Sequence, residues 1–392
     1  MSAAETATLA GTVLERRRQK PASFGIVDCD IHHSVRAKED LYPYLAQRWQ
    51  RYLEDYGFLR PEPFIGQPHY PKTAPALARR DAWPTNGGPP GSDLDFMREQ
   101  LLDPFNIDFG MLHYLFFHGM EARNIDLGVA LCRAANQWQE VEWTSKEPRL
   151  KAAIVVPGEN AAAAVAEIEH WAGNPGFVQV SLTSHGIEPL GRQRYWPIYE
   201  AAAAHGLPVG LHVSGANGLP PSAGIGWPSY YVERHHEVAI SHQAITISLA
   251  LEGVLARFPT LKVVMVEGGF AWVPSLCWRL DQQWARMRDE VPDVTRPPSE
   301  YILEQMWFTT QPLDEPERAD DILEIMDWIG WDRVLFASDY PHWDFDDPDR
   351  AFKVRMTEDQ RRLLFSDNAR AVYDLPPRAA AGSKDGPRTD SR

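Results

Sequence analysis

The sequence predicts an α/β fold of the (β/α)8 (TIM) barrel class, and three observations lead to this prediction. The chain of 392 residues contains about eight short apolar segments, and each of them except the first is followed closely by a helical pattern. The apolar segments are continuous rather than alternating, which is typical of parallel strands buried on both faces. A doubly wound open sheet would carry a glycine-rich phosphate loop after its first strand, whereas the first strand here ends in Asp28–His33.

The predicted elements follow one another in a regular order. The first strand begins at Phe24, and the seven later strands are predicted at Ile107–Tyr114, Leu150–Val156, Phe177–Leu182, Pro208–Val213, Leu261–Val266, Met306–Thr310 and Arg333–Ser338. The helices between them are predicted at Ala122–Lys146, Ala161–Gly173, Tyr195–His205, Ala239–Phe258, Trp272–Arg288 and Ala319–Ile329, with two short ones near Glu358–Phe365 and Asn368–Tyr373.

Three segments lie outside this pattern. Residues 1–22 form a leader, residues 23–375 the barrel domain, and residues 376–392 a tail of Pro, Gly, Ser and charged residues that we expect to be disordered. Within the domain, residues 41–100 form a long insertion after the first strand, dense in Pro, Gly and aromatic residues from Pro61 to Asp93. Long loops in a compact domain are usually functional, so we interpret this insertion as a lid.

The composition excludes several classes of partner. A net charge of −15 argues against binding to nucleic acid or to an anionic membrane, because both need a basic surface. The cysteines Cys29, Cys132 and Cys277 are widely spaced, which fits a reducing compartment, and neither a secretory signal nor a membrane-spanning stretch is visible. We therefore expect a cytoplasmic protein that acts on a small molecule, and we expect it to form a homo-oligomer, a dimer.

Polar residues at the predicted strand ends indicate a metal site. In barrels of this class the chemistry lies at the C-terminal ends of the strands. Asp30 and His32 alternate along the first strand and therefore point to the same side. His212 ends the fifth strand, and Asp339 follows the eighth. Two histidines and two aspartates at three strand ends suffice for one divalent metal ion with an open position for water or substrate.

Further candidates surround these four residues. Glu267 ends the sixth strand and is a candidate proton donor. The candidate substrate-binding residues are His342 and Trp343, which follow Asp339, together with His113, at the end of the second strand, and His185, after the fourth. The other histidines are interpreted differently: His33 should point away from His32, and surface or packed positions are expected for His235, His236 and His242.

Together these motifs resemble the amidohydrolase-related branch of the amidohydrolase superfamily, which includes aminocarboxymuconate-semialdehyde decarboxylase and related aromatic-acid decarboxylases. The resemblance covers about residues 24–375 and implies that Asp30, His32, His212 and Asp339 bind one metal ion and that Asp339 also handles a proton. The segments that carry it are Val27–His32, Leu207–His212, Gly253–Lys262, Glu267–Trp272, Ser338–His342 and Asp367–Arg370.

Two departures from the family pattern shape the expected function. Many members have His-x-His on the first strand, whereas this chain has Asp30-x-His32. The carboxylate is a harder ligand than imidazole, so we expect either Zn²⁺ or Mn²⁺. The family's decarboxylases often carry a histidine in place of Glu267. We therefore expect a hydrolase that uses a metal-activated water on a small aromatic or unsaturated carboxylic acid derivative. The alternatives are non-oxidative decarboxylation of an aromatic or muconate-type acid and a non-catalytic metal-binding scaffold.

Overall fold

The structure, a computed structural model, describes residues 24–57, 71–115, 124–213 and 226–377. The predicted leader, the predicted tail beyond residue 377 and residues 58–70 of the insertion lie outside these ranges. None of the helices in the described ranges is both long and apolar enough to cross a membrane. The predicted location, dimer and domain boundaries stay predictions.

Eight strands, β1 to β8, form one parallel sheet in the order of the chain. Each strand pairs with the next, and backbone hydrogen bonds join the segment after β8 to β1, from Cys29 N–H to the Phe336 carbonyl at 2.9 Å and from His32 N–H to the Tyr340 carbonyl at 2.7 Å. The prediction of a (β/α)8 barrel is confirmed. The strands are Ile26–His32, Ile107–His113, Leu150–Val155, Phe177–Thr183, Val209–His212, Val263–Val266, Met306–Thr309 and Val334–Leu335.

Helices follow the strands from β2 to β7 and extend beyond β8. Within the described residues, α1 to α12 are Gln47–Tyr56, Leu94–Met97, Ile125–Gln139, Ala161–Trp171, Trp196–Ala204, Tyr231–Leu251, Val254–Arg257, Val273–Met287, Pro298–Gln305, Asp321–Ile329, Glu358–Arg362 and Asn368–Val372.

The last strand is shorter than the predicted Arg333–Ser338. After Leu335 the chain keeps backbone hydrogen bonds to β1, but toward β7 it bonds to a side chain, since Thr310 Oγ1 accepts from Ala337 N–H at 3.1 Å. Asp28 Oδ1 accepts from Ser338 N–H at 2.9 Å. The side chains of Asp28 and Thr310 therefore add to the backbone hydrogen bonds where the chain leaves β8 toward the C-terminal end of the barrel.

Helix α6 begins at Tyr231, whereas the prediction placed its start at Ala239. The earlier start has a local cause, because the Glu233 carboxylate accepts hydrogen bonds from the backbone N–H groups of Ser229 (2.9 Å) and Tyr230 (3.4 Å). His235 and His236, which precede the predicted start, therefore lie in the first turns of this helix. The helix ends before Gly253, whose φ of +81° breaks the helical path.

The N-terminal end of the barrel is closed by the C-terminal helix α12 and the residues after it. Val27 and Val264 of the barrel interior share one buried apolar cluster with Val372 and Tyr373. Lys262, which precedes β6, donates to the carbonyl of Val372 at 2.8 Å. The opposite end, where the strands finish, is thus the end left for a site.

The described part of the insertion packs against that C-terminal end. Arg79 N–H donates to the Pro341 carbonyl at 2.9 Å, and Trp343 N–H donates to the Leu77 carbonyl at 2.9 Å. Ser34 N–H, just after β1, donates to the Gly91 carbonyl at 3.0 Å. The insertion thus lies beside the ends of β1 and β8, and its action as a lid stays a prediction.

Candidate metal centre

The structure brings together the side chains that end β1, β5 and β6 and the one that follows β8. His32 Nε2 lies 3.2 Å from Asp30 Oδ1 and 2.9 Å from Asp339 Oδ1. His212 Nε2 lies 3.5 Å from Asp30 Oδ1 and 3.2 Å from Glu267 Oε2. The four predicted ligands and Glu267 therefore form one cluster, which we call the centre.

Two carboxyl residues of the centre have a left-handed backbone, with φ of +61° at Glu267 and +59° at Asp339. This conformation costs a residue with a side chain about 1–3 kcal/mol. It is held by neighbours, because Glu267 N–H donates to Thr309 Oγ1 at 3.0 Å and Asp339 N–H donates to the Asp30 carbonyl at 3.0 Å. The turn out of each strand aims the carboxyl group into the centre.

Both histidines of the centre are oriented by a backbone carbonyl. His32 Nδ1 lies 3.2 Å from the carbonyl of His113, and His212 Nδ1 contacts the carbonyl of Val213. Donation from Nδ1–H to these carbonyls leaves the Nε2 lone pair of each ring facing the carboxylates. This is the arrangement of metal-binding histidines, whose second nitrogen is fixed by a hydrogen bond.

The unpartnered polar atoms of the centre fit a metal ion. Both carboxylate oxygens of Asp30, Nε2 of His32 and of His212, and Oδ2 of Asp339 are buried without a hydrogen-bond partner. Such groups are normally satisfied, because burying them bare costs free energy. Donor atoms of Asp30, His32, His212 and Glu267 lie within 4.8 Å of one another, as do those of His32, Asp339 and His342. Mixed oxygen and imidazole donors suit Mn²⁺ and Zn²⁺, so the residues present fit a divalent ion.

The electrostatics of the centre also fit a bound cation. Burial, together with the charges of Asp344 and Asp30, raises the pKa of Asp339 well above its usual value. Burial and the charge of Asp339 do the same to the pKa of Glu267. The pKa of His32 is lowered well below its usual value by burial and by the neighbouring imidazoles. Several carboxyl groups thus share a buried volume, and a bound cation would relieve their mutual repulsion.

Asp28 connects the two chain segments that carry most of the centre. Its carboxylate accepts hydrogen bonds from Ser338 Oγ at 2.5 Å, Ser338 N–H at 2.9 Å and Asp30 N–H at 3.3 Å. Burial raises the pKa of Asp28 to about 7. We assigned no role to Asp28 or Ser338 from the sequence, although the Asp28-x-Asp30 spacing on one strand face was a usable signal.

Two of the four candidate substrate-binding residues lie against the centre. His342 Nδ1 is 2.7 Å from Asp339 Oδ1, and its ring stacks on that of His32 at 4.4 Å between centroids. The His113 ring is 5.1 Å from that of His212 but fully buried, and its Nε2 is 3.2 Å from the Cys29 carbonyl. His342 is therefore partly exposed beside the centre, and its contact with a substrate stays a prediction. His113 is buried against the predicted ligand His212.

The other two candidates lie farther out. His185 lines a small cavity together with Glu159 and Tyr195, between the segments that follow β3 and β4. Trp343 is half exposed, and its indole N–H donates to Tyr231 Oη at 2.9 Å. Substrate contact by either residue stays a prediction.

The remaining histidines differ in their surroundings. His33 points away from the centre, as predicted, and stacks on Trp138 at 5.1 Å; burial lowers its pKa to about 3. His242 is packed and fully buried, also as predicted. His235 is more than a surface residue, because its Nε2 lies 2.9 Å from Asp344 Oδ2. That pair was not predicted from the sequence.

His242 also limits what can replace Gly268, the residue after Glu267. A Cβ atom added to Gly268 would lie 1.7 Å from His242 Nδ1. We expect Gly268→Ala to lower the free energy of unfolding by about 1–3 kcal/mol, measured by denaturant unfolding. Gly158→Ala, whose Cβ would lie 3.1 Å from the flexible end of Leu182, is the milder control. Adding His242→Ala should recover part of the loss, and wild-type stability of Gly268→Ala alone would contradict this contact.

The comparison with known proteins decides the family. The family model for amidohydrolases matches residues 27–375. The chain belongs to the amidohydrolase family. This result confirms the resemblance that the sequence motifs indicated.

Three similar proteins have decarboxylase names. Gamma-resorcylate decarboxylase from Polaromonas sp. (strain JS666) is 25% identical over 316 residues, which cover 73% of this chain and 92% of that protein. The 5-carboxyvanillate decarboxylase from Sphingomonas paucimobilis has a TM-score of 0.65 at 19% identity, covering 90% of this chain and 100% of that one. Dihydroxybenzoic acid decarboxylase from Polaromonas sp. JS666, solved with manganese and 2-nitroresorcinol, has a TM-score of 0.60 at 19% identity, covering 90% and 97%. The two structural likenesses show a shared fold.

Proposed function

We propose that the protein is a metal-dependent carboxy-lyase that removes CO₂ without oxidation from a small aromatic or unsaturated carboxylic acid. The observation that carries this proposal is the buried cluster of Asp30, His32, His212 and Asp339, in which five polar side-chain atoms lack hydrogen-bond partners. The reaction type is supported by the similar proteins, which are decarboxylases of aromatic acids. Hydrolysis, which we expected from the sequence, has no comparable support.

Asp30, His32, His212 and Asp339 are the residues that would hold one divalent ion, and the manganese in the Polaromonas structure makes Mn²⁺ the first ion to test. A divalent ion at this position supplies a Lewis acid for the substrate's carboxylate and a neighbouring oxygen. The side chains around the ion fix its position, because each histidine is oriented by a carbonyl and Asp30 is tied to Asp28.

Proton delivery is the task of Asp339 and His342. Loss of CO₂ leaves an electron pair on carbon, and a proton must replace the carboxyl group there. Asp339 Oδ1 contacts His342 Nδ1 at 2.7 Å, and the His342 side chain is 22% exposed while that of Asp339 is fully buried. The pair therefore links the buried carboxyl group with solvent, and the proton that Asp339 delivers can be renewed through His342.

Glu267 has a second role in this proposal. Its carboxyl group is nearly buried and 3.2 Å from His212 Nε2, and burial together with the charge of Asp339 raises its pKa well above the usual value, which favours the protonated form. A protonated Glu267 adds no further negative charge beside an anionic substrate, and it offers an O–H group toward the site. Glu267 thus serves as a second general acid next to the reacting substrate, and its proton, like that of Asp339, can be transferred.

The test is to supply Mn²⁺-loaded protein with a panel of hydroxylated benzoic acids in D₂O. We expect release of CO₂ and one deuterium at the carbon that lost it, because the proton that Asp339 delivers exchanges with solvent through His342. Esters and amides of the same acids test for hydrolysis in parallel, and metal-free protein is the control. Hydrolysis products without CO₂ would overturn the proposal in favour of a hydrolase. Full metal content with neither activity would favour the non-catalytic scaffold.

A further inference from the structure

A second group of polar and aromatic side chains lies beside the centre, on the segment after β8, the first turns of α6 and the segment after β7. We call it the rim, and its members are Tyr231, His235, Gln311, Trp343 and Asp344. His235 Nε2 is 2.9 Å from Asp344 Oδ2, and Gln311 Nε2 donates to the same oxygen at 2.9 Å. The ring centroid of Trp343 is 5.4 Å from that of His235 and 6.5 Å from that of Tyr231. These contacts join three separate segments into one surface.

The rim lies next to the centre and nearer to solvent. Trp343 directly follows His342, whose ring stacks on His32. The charge of Asp344 contributes to the raised pKa of both Glu267 and Asp339, so it lies close to both carboxyl groups. The carboxyl groups of the centre are buried, whereas Trp343 is 46% exposed and the His235 side chain 20%. A substrate bound through its carboxylate at the centre would therefore present the rest of its ring to the rim.

His235 is held in one orientation there. Although burial alone would raise the pKa of Asp344, its hydrogen bond and charge interaction with His235 lower it, so that Asp344 is ionised at neutral pH. An ionised Asp344 accepts the Nε2–H proton of His235, and in the tautomer fixed by this hydrogen bond the lone pair lies on Nδ1. Within the described residues no group hydrogen-bonds to this Nδ1, which leaves it available as an acceptor.

The negative charge around the rim determines which group of a substrate can bind to His235 Nδ1. The ionised Asp344 lies close to the carboxyl groups of Glu267 and Asp339, so the rim carries negative charge. A second carboxylate on the substrate would meet charge of its own sign, whereas a hydroxyl group would bring a donor to an unpaired acceptor.

We propose that His235, oriented by Asp344, is a specificity-determining residue that accepts a hydrogen bond from a ring hydroxyl of the substrate, remote from its carboxylate, while Trp343 packs against the ring. This inference rests on the proposed function, because it takes the substrate to be an aromatic acid. It deepens that function by selecting hydroxylated acids over unsubstituted ones and over diacids. The sequence alone could not indicate that Asp344 orients His235, since the two residues are 109 positions apart.

Binding to Mn²⁺-loaded protein tests the proposal without turnover. The probes are benzoate, 3-hydroxybenzoate, 4-hydroxybenzoate, 4-methoxybenzoate and terephthalate, titrated by calorimetry. We expect one hydroxybenzoate to bind about tenfold more tightly than benzoate, the worth of one good hydrogen bond of about 1.4 kcal/mol. His235→Phe should remove this preference and leave the affinity for benzoate unchanged. His236→Phe, a change at the exposed neighbour on the same helix, should keep it.

A second variant tests whether Asp344 acts by orienting His235 and not by maintaining the fold. Asp344→Asn preserves the shape of the side chain but not its charge, so we expect a reduced preference for the hydroxyl, measured against benzoate on the same manganese-loaded variant. A hydroxyl preference that survives in His235→Phe, or tighter binding of terephthalate than of either hydroxybenzoate, would overturn the inference alone. Failure of every probe to bind the manganese-loaded wild type would overturn the inference together with the aromatic-acid substrate class.

Discussion

His212→Ala is expected to leave the purified protein with little of its divalent metal, while the wild type carries about one ion per chain. His212 is fully buried, and its Nδ1 contacts the Val213 carbonyl, which holds its Nε2 toward Asp30 and Glu267. Loss of an outer partner of a metal ligand already weakens affinity by about 10–100-fold, and loss of the ligand itself should weaken it by at least as much.

Elemental analysis after dialysis measures this result. Asp30→Ala should behave in the same way, because both oxygens of Asp30 are buried without a hydrogen-bond partner. The control is His205→Ala, which removes a partly exposed histidine paired with Glu169 at the end of α5. Full metal content in both His212→Ala and Asp30→Ala would show that the ion is held elsewhere.

Asp339→Asn is expected to abolish turnover and to weaken metal binding, because Asp339 is both a proposed ligand and the residue that delivers the proton. Glu267→Gln separates the two roles. The amide keeps an oxygen near His212 and should retain the metal, yet it cannot hold the acidic proton, so we expect a loss of about 10²–10⁴-fold in kcat. Turnover and metal content are measured on the same preparations.

The two outcomes that would contradict this division are distinct. Near-normal turnover of Glu267→Gln with full metal would reduce Glu267 to a structural residue at the end of β6. Loss of metal in Glu267→Gln would instead place Glu267 among the ligands, as its proximity to Asp30, His32 and His212 allows.

The strand ends were predictable from the sequence because the rule that locates them is local. Apolar runs place the strands, and the first polar residues after β1, β5, β6 and β8 must then meet at one end of the barrel. This rule found Asp30, His32, His212 and Asp339 without any knowledge of the distances between them in the folded protein.

The supporting contacts were not predictable, because they join residues that no periodicity relates. Asp28 and Ser338 are 310 residues apart, and their hydrogen bonds form only when the barrel closes. His235 was misjudged for a more local reason, since the Glu233 cap starts α6 eight residues before its apolar pattern becomes regular. The reaction type was also out of reach, because the same ligand set serves hydrolysis and decarboxylation.

The left-handed backbone at Glu267 and Asp339 sets thermal stability against activity in this protein. Glycine adopts that conformation without the steric penalty of a side chain, so glycine at either position would relieve backbone strain and also remove a carboxyl group from a crowded acidic cluster. Selection for a higher melting temperature alone would therefore favour the loss of both residues. A thermostable variant obtained without an activity screen is best sequenced first at these two positions.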